Sequence, residues 1–199
     1  LTPHVSRHAN TMRLRFLLPA LAALLLAAAP AHAQSVIYVD ADASGNNDGS
    51  SWANAYTDLQ DALGAATGSN EIWIAEGVYV PYRNYDSDSF VIEEDGLKVY
   101  GGFEGTESTR DERDPRTHVT VLSGDFEGND VVNANGVTET PADIRGDNSL
   151  HVVELDGSFE TLTSETVLSG VTITGGLADE THSDAQGAGI YGDSNSGTC

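Results

Sequence analysis

Residues 97–125 read LKVYGGFEGTESTRDERDPRTHVTVLSGD. Two short apolar runs, Leu97 to Tyr100 and Val119 to Leu122, are each halted by glycine, and a charged excursion separates them. Runs this brief suit neither a sandwich, whose strands are usually about 5 to 6 residues or longer, nor a helix. Comparable runs return at His151 to Leu155, Val171 to Ile173 and Gly189 to Tyr191. A single turn of this kind cannot bury its own apolar face, so the recurrence predicts turns stacked on one another. Val99, Val121, Val152, Val171 and Ile190 then form one ladder with a period of about 20 residues, from which the polar stretch Phe126 to Asn148 bulges as a loop.

Moving outward, Ser35 to Asp40 alternates as a first strand, and residues 41–55 are turn chemistry almost throughout. Thr57 and Gln60 have the spacing of a capping box, and Leu59, Ala62, Leu63 and Ala66 make one apolar stripe that ends at Gly68. A helix this short must lie on an apolar surface, and the open end of a strand stack is one. Glu71 to Ala75, Val78 to Val80 and Phe90 to Ile92 read as further short strands, with Pro81 as a stop.

Residues 1–33 stand apart. Residues 1–11 are read as an over-extended start and residues 12–33 as a signal peptide: Met-Arg-Leu-Arg from Met12, an uncharged run from Phe16 to Ala29, and Ala31-His32-Ala33 before Gln34. The run falls short of the ~20 residues that span a bilayer. Residues 34–199 form one domain carrying six basic residues against 31 acidic ones, a formal charge of −25. Such a field excludes nucleic acid and anionic lipid as partners. The single cysteine, Cys199, permits no internal disulfide.

Taken in order, YVDADASGNNDGSSWANAYTDLQDALGAA, EIWIAEGVYVP, LKVYGGFEGTE with RDERDP, VTVLSGD, and LSGVTITGG followed by GAGIY resemble the opening of secreted bacterial right-handed parallel β-helix proteins of the pectate-lyase-like superfamily. The last pieces are similar to the repeats of polymorphic outer-membrane proteins and adhesins. The resemblance implies an all-β fold, a right-handed parallel β-helix (solenoid) with a short N-terminal capping α-helix. It also implies display at the surface or outer membrane of a Gram-negative-type bacterium. Such proteins continue with further turns, so the chain is expected to be a fragment. Two functions follow from it: a non-catalytic, adhesin-like protein presenting loops to a polysaccharide or cell-surface glycan, or a polysaccharide lyase or glycoside hydrolase with active turns beyond Cys199.

Candidate sites are few. Asp40, Asp42 and Ser44, followed by Gly45, give half of a calcium loop, or a turn held by Asx hydrogen bonds. Asp125, Glu127, Asp130, Asp143 and Asp147, with Arg145 nearby, are either solvated loop acids or the calcium and acid–base groups that the resemblance implies. Arg110, Arg113 and Arg116 interleave with acids, as an internally paired protruding loop or as a sugar-binding face with Tyr82, Tyr85 and Phe103 as stacking platforms. Trp52 and Trp73 are expected beneath the helix, and His118 and His151 as structural residues beside strands.

Overall fold

The computed structural model describes residues 35–83, 88–178 and 189–192. The proposed signal peptide, Tyr85 and Cys199 lie outside them. The regular structure among the described residues is mostly short strands, with a single α-helix. The strands are β1 (Val36–Val39), β2 (Glu71–Ala75), β3 (Gly77–Tyr79), β4 (Phe90–Ile92), β5 (Lys98–Phe103), β6 (Thr120–Ser123), β7 (Val153–Leu155), β8 (Val167–Ser169), β9 (Val171–Thr174) and β10 (Ile190–Gly192). They form three open sheets: sheet A in the order β1-β2-β5-β8, sheet B in the order β3-β6-β9 and sheet C in the order β4-β7-β10. Every pairing between strands is parallel. From β2 onward the chain visits A, B and C in turn, three times over.

This order corrects the single ladder expected from the sequence. Val99 stacks between Ile72 and Leu168, Val121 between Val78 and Thr172, and Glu154 between Val91 and Tyr191. The apolar runs therefore belong to three ladders, and the intervals between stacked partners are long and unequal. β8 and β9 are separated by one residue, Gly170, which at φ +77° turns the chain between them. A left-handed residue without Cβ makes that corner possible.

Period-2 alternation sends one set of side chains inward. Ile37, Ile72, Val99 and Leu168 align in sheet A, Tyr79, Leu122 and Ile173 in sheet B, and Ile92 with Leu155 in sheet C. They meet in one core with Val39, Phe90 and Val153. Each such side chain contributes roughly 1.5–3 kcal/mol when fully buried.

Helix α1 (Leu59–Ala65) packs on β1, β2 and β4, and its Leu59 and Ala62 join the core. Its N-cap is Asp58, whose carboxylate accepts from the Gln60 amide at 2.8 Å. The expected cap, Thr57, instead gives its amide and hydroxyl to Asn47. At seven residues the helix cannot stand alone in water, and it covers the β1 and β4 ends of sheets A and C. No helix among the described residues is long and apolar enough to cross a membrane.

Candidate functional site

The outward side chains of sheet A form a second, separate cluster. Tyr38, Trp73 and Tyr100 align across β1, β2 and β5, and Ser169 takes the next position on β8. Phe103 stacks on Trp73 with ring centres 4.8 Å apart and an interplanar angle of 9°, and Trp52 packs edge-on to Tyr38 at 4.8 Å. Trp52 and Trp73 thus lie on the side of sheet A away from the core rather than beneath the helix. Phe103 is 0% exposed and offers no face to a sugar, which corrects its reading as a stacking platform. These rings cover sheet A from outside, which is why all five residues of β2 are buried.

The charged excursion folds back over this cluster. Residues 104–119 fill the corner between β5 and β6, a corner that Glu76 alone makes between β2 and β3. Gly102, at φ +98°, lets the chain leave; a Cβ there would lie 2.5 Å from Pro115 Cγ. Arg110 pairs with Glu71 at 2.9 Å, donates to the Tyr100 hydroxyl and lies 5.0 Å from that ring's centre. The Glu71 carboxylate also accepts from Trp73 Nε1 at 2.8 Å, so this buried acid is paired twice. Arg113 lies 5.0 Å from the centre of the same ring and donates to the carbonyls of Gly101 and Ser169 and to Ser169 Oγ.

The excursion is therefore not paired within itself. Arg110 and Arg113 reach the sheet while its acids bind backbone amides: Glu107 accepts from residues 104, 105 and 106, and Glu112 from Ser108 and Thr109. Amide donors hold the Glu112 carboxyl below its usual range; Asp114 is held down likewise by the Arg116 amide and the Thr117 hydroxyl. His118 Nδ1 meets Glu76 Oε2 at 2.9 Å, and that hydrogen bond raises its pKa. Tyr100, Arg110, Asp111, Arg113 and Pro115 line a cleft at the edge of the excursion. Tyr100 is the residue that sequence reasoning missed. The signal that could have found it is the alternation of VIYV, EIWIA and LKVYG, which puts Tyr38, Trp73 and Tyr100 on the face opposite Ile37, Ile72 and Val99.

The other candidates fall elsewhere. Asp40 Oδ1 accepts from the Asp42 amide at 2.9 Å, the expected Asx turn, with Asp42 and Ser44 exposed. Among the described residues, no three His, Cys, Asp or Glu side chains are grouped to hold a metal ion. Tyr82 is 44% exposed and donates to Asp61 at 3.0 Å. Desolvation, then Asp61 and Asp58, push its hydroxyl up to about 12.

Two of the loop acids are buried rather than solvated. Asp125 accepts from the amides of Glu127, Asn129 and Asp130. Asp130 accepts from the Arg145 amide, the Thr138 hydroxyl and Asn148 Nδ2. Carboxylates so fully bonded hold a loop together and are poorly placed to move protons. Asp143 accepts from Thr140, and Glu127 and Asp147 face Arg83. His151 is buried and stacks on Tyr191 with ring centres 4.6 Å apart.

No family model, no curated protein and no solved structure matches the chain.

Proposed function

We propose that residues 34–199 form the lidded end of a right-handed parallel β-helix belonging to an exported, non-catalytic surface protein that presents its outer faces to a glycan. The observation that carries this reading is the cyclic order of the strands, with parallel pairing in all three sheets and longer connections confined to the corners. A chain that returns to the same sheet after visiting two others winds as a coil, and crossovers between parallel strands favour the right hand. Such a scaffold can lengthen a corner without disturbing its ladders, which suits display.

Export rests on the basic, apolar and Ala-x-Ala pattern before Gln34. The acidic surface suits solubility outside the cell. The non-catalytic reading is supported by Asp125 and Asp130, the two buried acids of the loop between β6 and β7, whose oxygens serve loop amides and side chains. Binding of the purified protein to immobilised neutral and acidic polysaccharides tests the proposal, with absorbance of unsaturated products followed in parallel. Retention without new absorbance is expected. Failure to bind any of them, or the appearance of unsaturated products, sinks it.

A further inference from the structure

We infer that the cleft beside Tyr100 binds the carboxylate of an acidic sugar, with Arg110 as its main donor. This rests on the glycan reading above and gives it a ligand class and a place. The aromatic row Tyr38, Trp73, Tyr100 stops on β5, and Ser169 takes the next position on β8, the edge strand of the sheet. Arg113 reaches across to Ser169, and the cleft lies on the Tyr100 side of that contact.

Two guanidinium groups crowd the Tyr100 ring, and among the described residues Glu71 is the carboxylate that pairs with Arg110. Arg113 gives its bonds to neutral oxygens. Arg110 bonds Glu71 and Tyr100 through Nη1, and its side chain is 42% exposed. The Nε and Nη2 edge of that guanidinium is a planar two-donor fork that matches a carboxylate.

The rest of the lining suits a sugar ring. Asp111 is exposed at the rim and can accept from hydroxyls, while Pro115 supplies an apolar surface. Four of the six basic residues after Gln34 lie in this region: Lys98 on β5 and Arg110, Arg113 and Arg116 on the excursion. Residues 98–116 carry these four bases against five acids, whereas the rest of residues 34–199 carries two against 26, so an acidic glycan is repelled less here than from most of the surface.

The test is titration calorimetry of the full chain at low salt with a glucuronate oligosaccharide, its methyl ester, the neutral parent sugar and a sulfated analogue. The acid is expected to bind at least tenfold more tightly than the ester or the neutral sugar. Arg110→Gln should lose at least tenfold. Arg110→Lys keeps the charge that faces Glu71 but lacks the fork, and should lose several-fold. Arg116→Gln, outside the cleft lining, should bind as the parent does. Fluorescence of Trp52 and Trp73 verifies that the cover over sheet A persists in each variant. Equal binding of acid and ester, preference for the sulfated sugar, or unchanged affinity in both Arg110 variants overturns the inference. Tight binding of the neutral sugar without acid preference overturns it while leaving the glycan reading intact; no binding of any sugar removes both.

Discussion

Two long corners of this molecule are held in opposite ways. Residues 104–119, between β5 and β6, are fastened from outside: Arg110 and Arg113 reach down to sheet A, and the excursion's own acids stiffen its backbone. Residues 124–152, between β6 and β7, are organised from inside, around the buried carboxylates of Asp125 and Asp130. The first arrangement spreads its attachment over several partly exposed contacts. The second concentrates it on two side chains that water cannot replace. The lesson is that equally polar stretches of sequence can be a fastened cover or a self-centred loop, depending on where the charges find partners.

That contrast predicts its largest effect at Asp130. Replacing it with Ala strands the Arg145 amide, the Thr138 hydroxyl and the Asn148 amide group, for a loss of about 3 kcal/mol or more in urea unfolding. Hydrogen exchange should quicken across residues 129–148 before β6 and β9. A loss below about 1 kcal/mol would mean that the loop is not centred on this side chain.

Gly102→Ala comes next. A side chain there must adopt a positive φ and displace Pro115, at roughly 1–3 kcal/mol. Near-ultraviolet circular dichroism of the aromatic cluster should change with it, because the excursion is pushed off Trp73 and Tyr100. An unchanged aromatic signal would show that the cover does not depend on this close approach.

A smaller effect is expected for Arg110→Gln, about 1–2 kcal/mol, between the values for buried and exposed pairs because Glu71 is enclosed while Arg110 is 42% exposed. Salt should separate the two corners. Added 1 M sodium chloride should speed exchange in residues 104–119, whose half-exposed ion pair is screened. It should leave residues 129–145, which lie between the exposed Arg83 partners Glu127 and Asp147, nearly unaffected, since neutral donors surround Asp125 and Asp130. Equal sensitivity of both corners would erase the distinction.

The smallest effect is a dependence on pH in the first corner. His118 has its pKa raised by Glu76, so its contribution is fully present below the ordinary 6.5 and is lost as pH rises through the higher folded value. Asp114 is held below its ordinary 3.8, so its contribution is present above that value and is lost as pH falls through the lower one. The excursion is therefore held best between those limits. His118→Gln should abolish the alkaline loss and leave the acid loss in place, as followed by exchange of residues 104–119. Persistence of the alkaline loss in that variant would assign it to another group.

Much of the strand pattern was legible in the sequence. β2 and β4 run from Glu71 to Ala75 and from Phe90 to Ile92 as the alternation and the flanking turn residues imply, and the helix stripe of Leu59 and Ala62 is buried. Less legible was which strand meets which. Hydrophobic period reports that a segment has a buried face, and it is silent about which of three sheets receives it. Hence Val99, Val121 and Val152 looked like one ladder. Phe103 failed as a sugar platform for a related reason: its exposure is set by Trp52 and Trp73, which are distant in the chain. Arg110 and Arg113 looked paired to their neighbouring acids because local opposite charges are visible in sequence, whereas Glu71 is not near them until the chain has wound.

The amino-acid sequence by itself determined that short extended segments alternate with glycine-stopped turns, that a small amphipathic helix precedes the stack, and that the surface is strongly acidic. These are local properties, fixed by side-chain period, turn chemistry and charge. Only the tertiary structure decided that three parallel sheets share the strands in rotation, that one polar corner is fastened to a sheet while the other gathers around buried aspartates, and that Tyr100 stands at the end of an aromatic row beside two arginines. Those outcomes depend on partners brought together across tens of residues, where backbone pairing and burial rather than neighbouring sequence choose the contact.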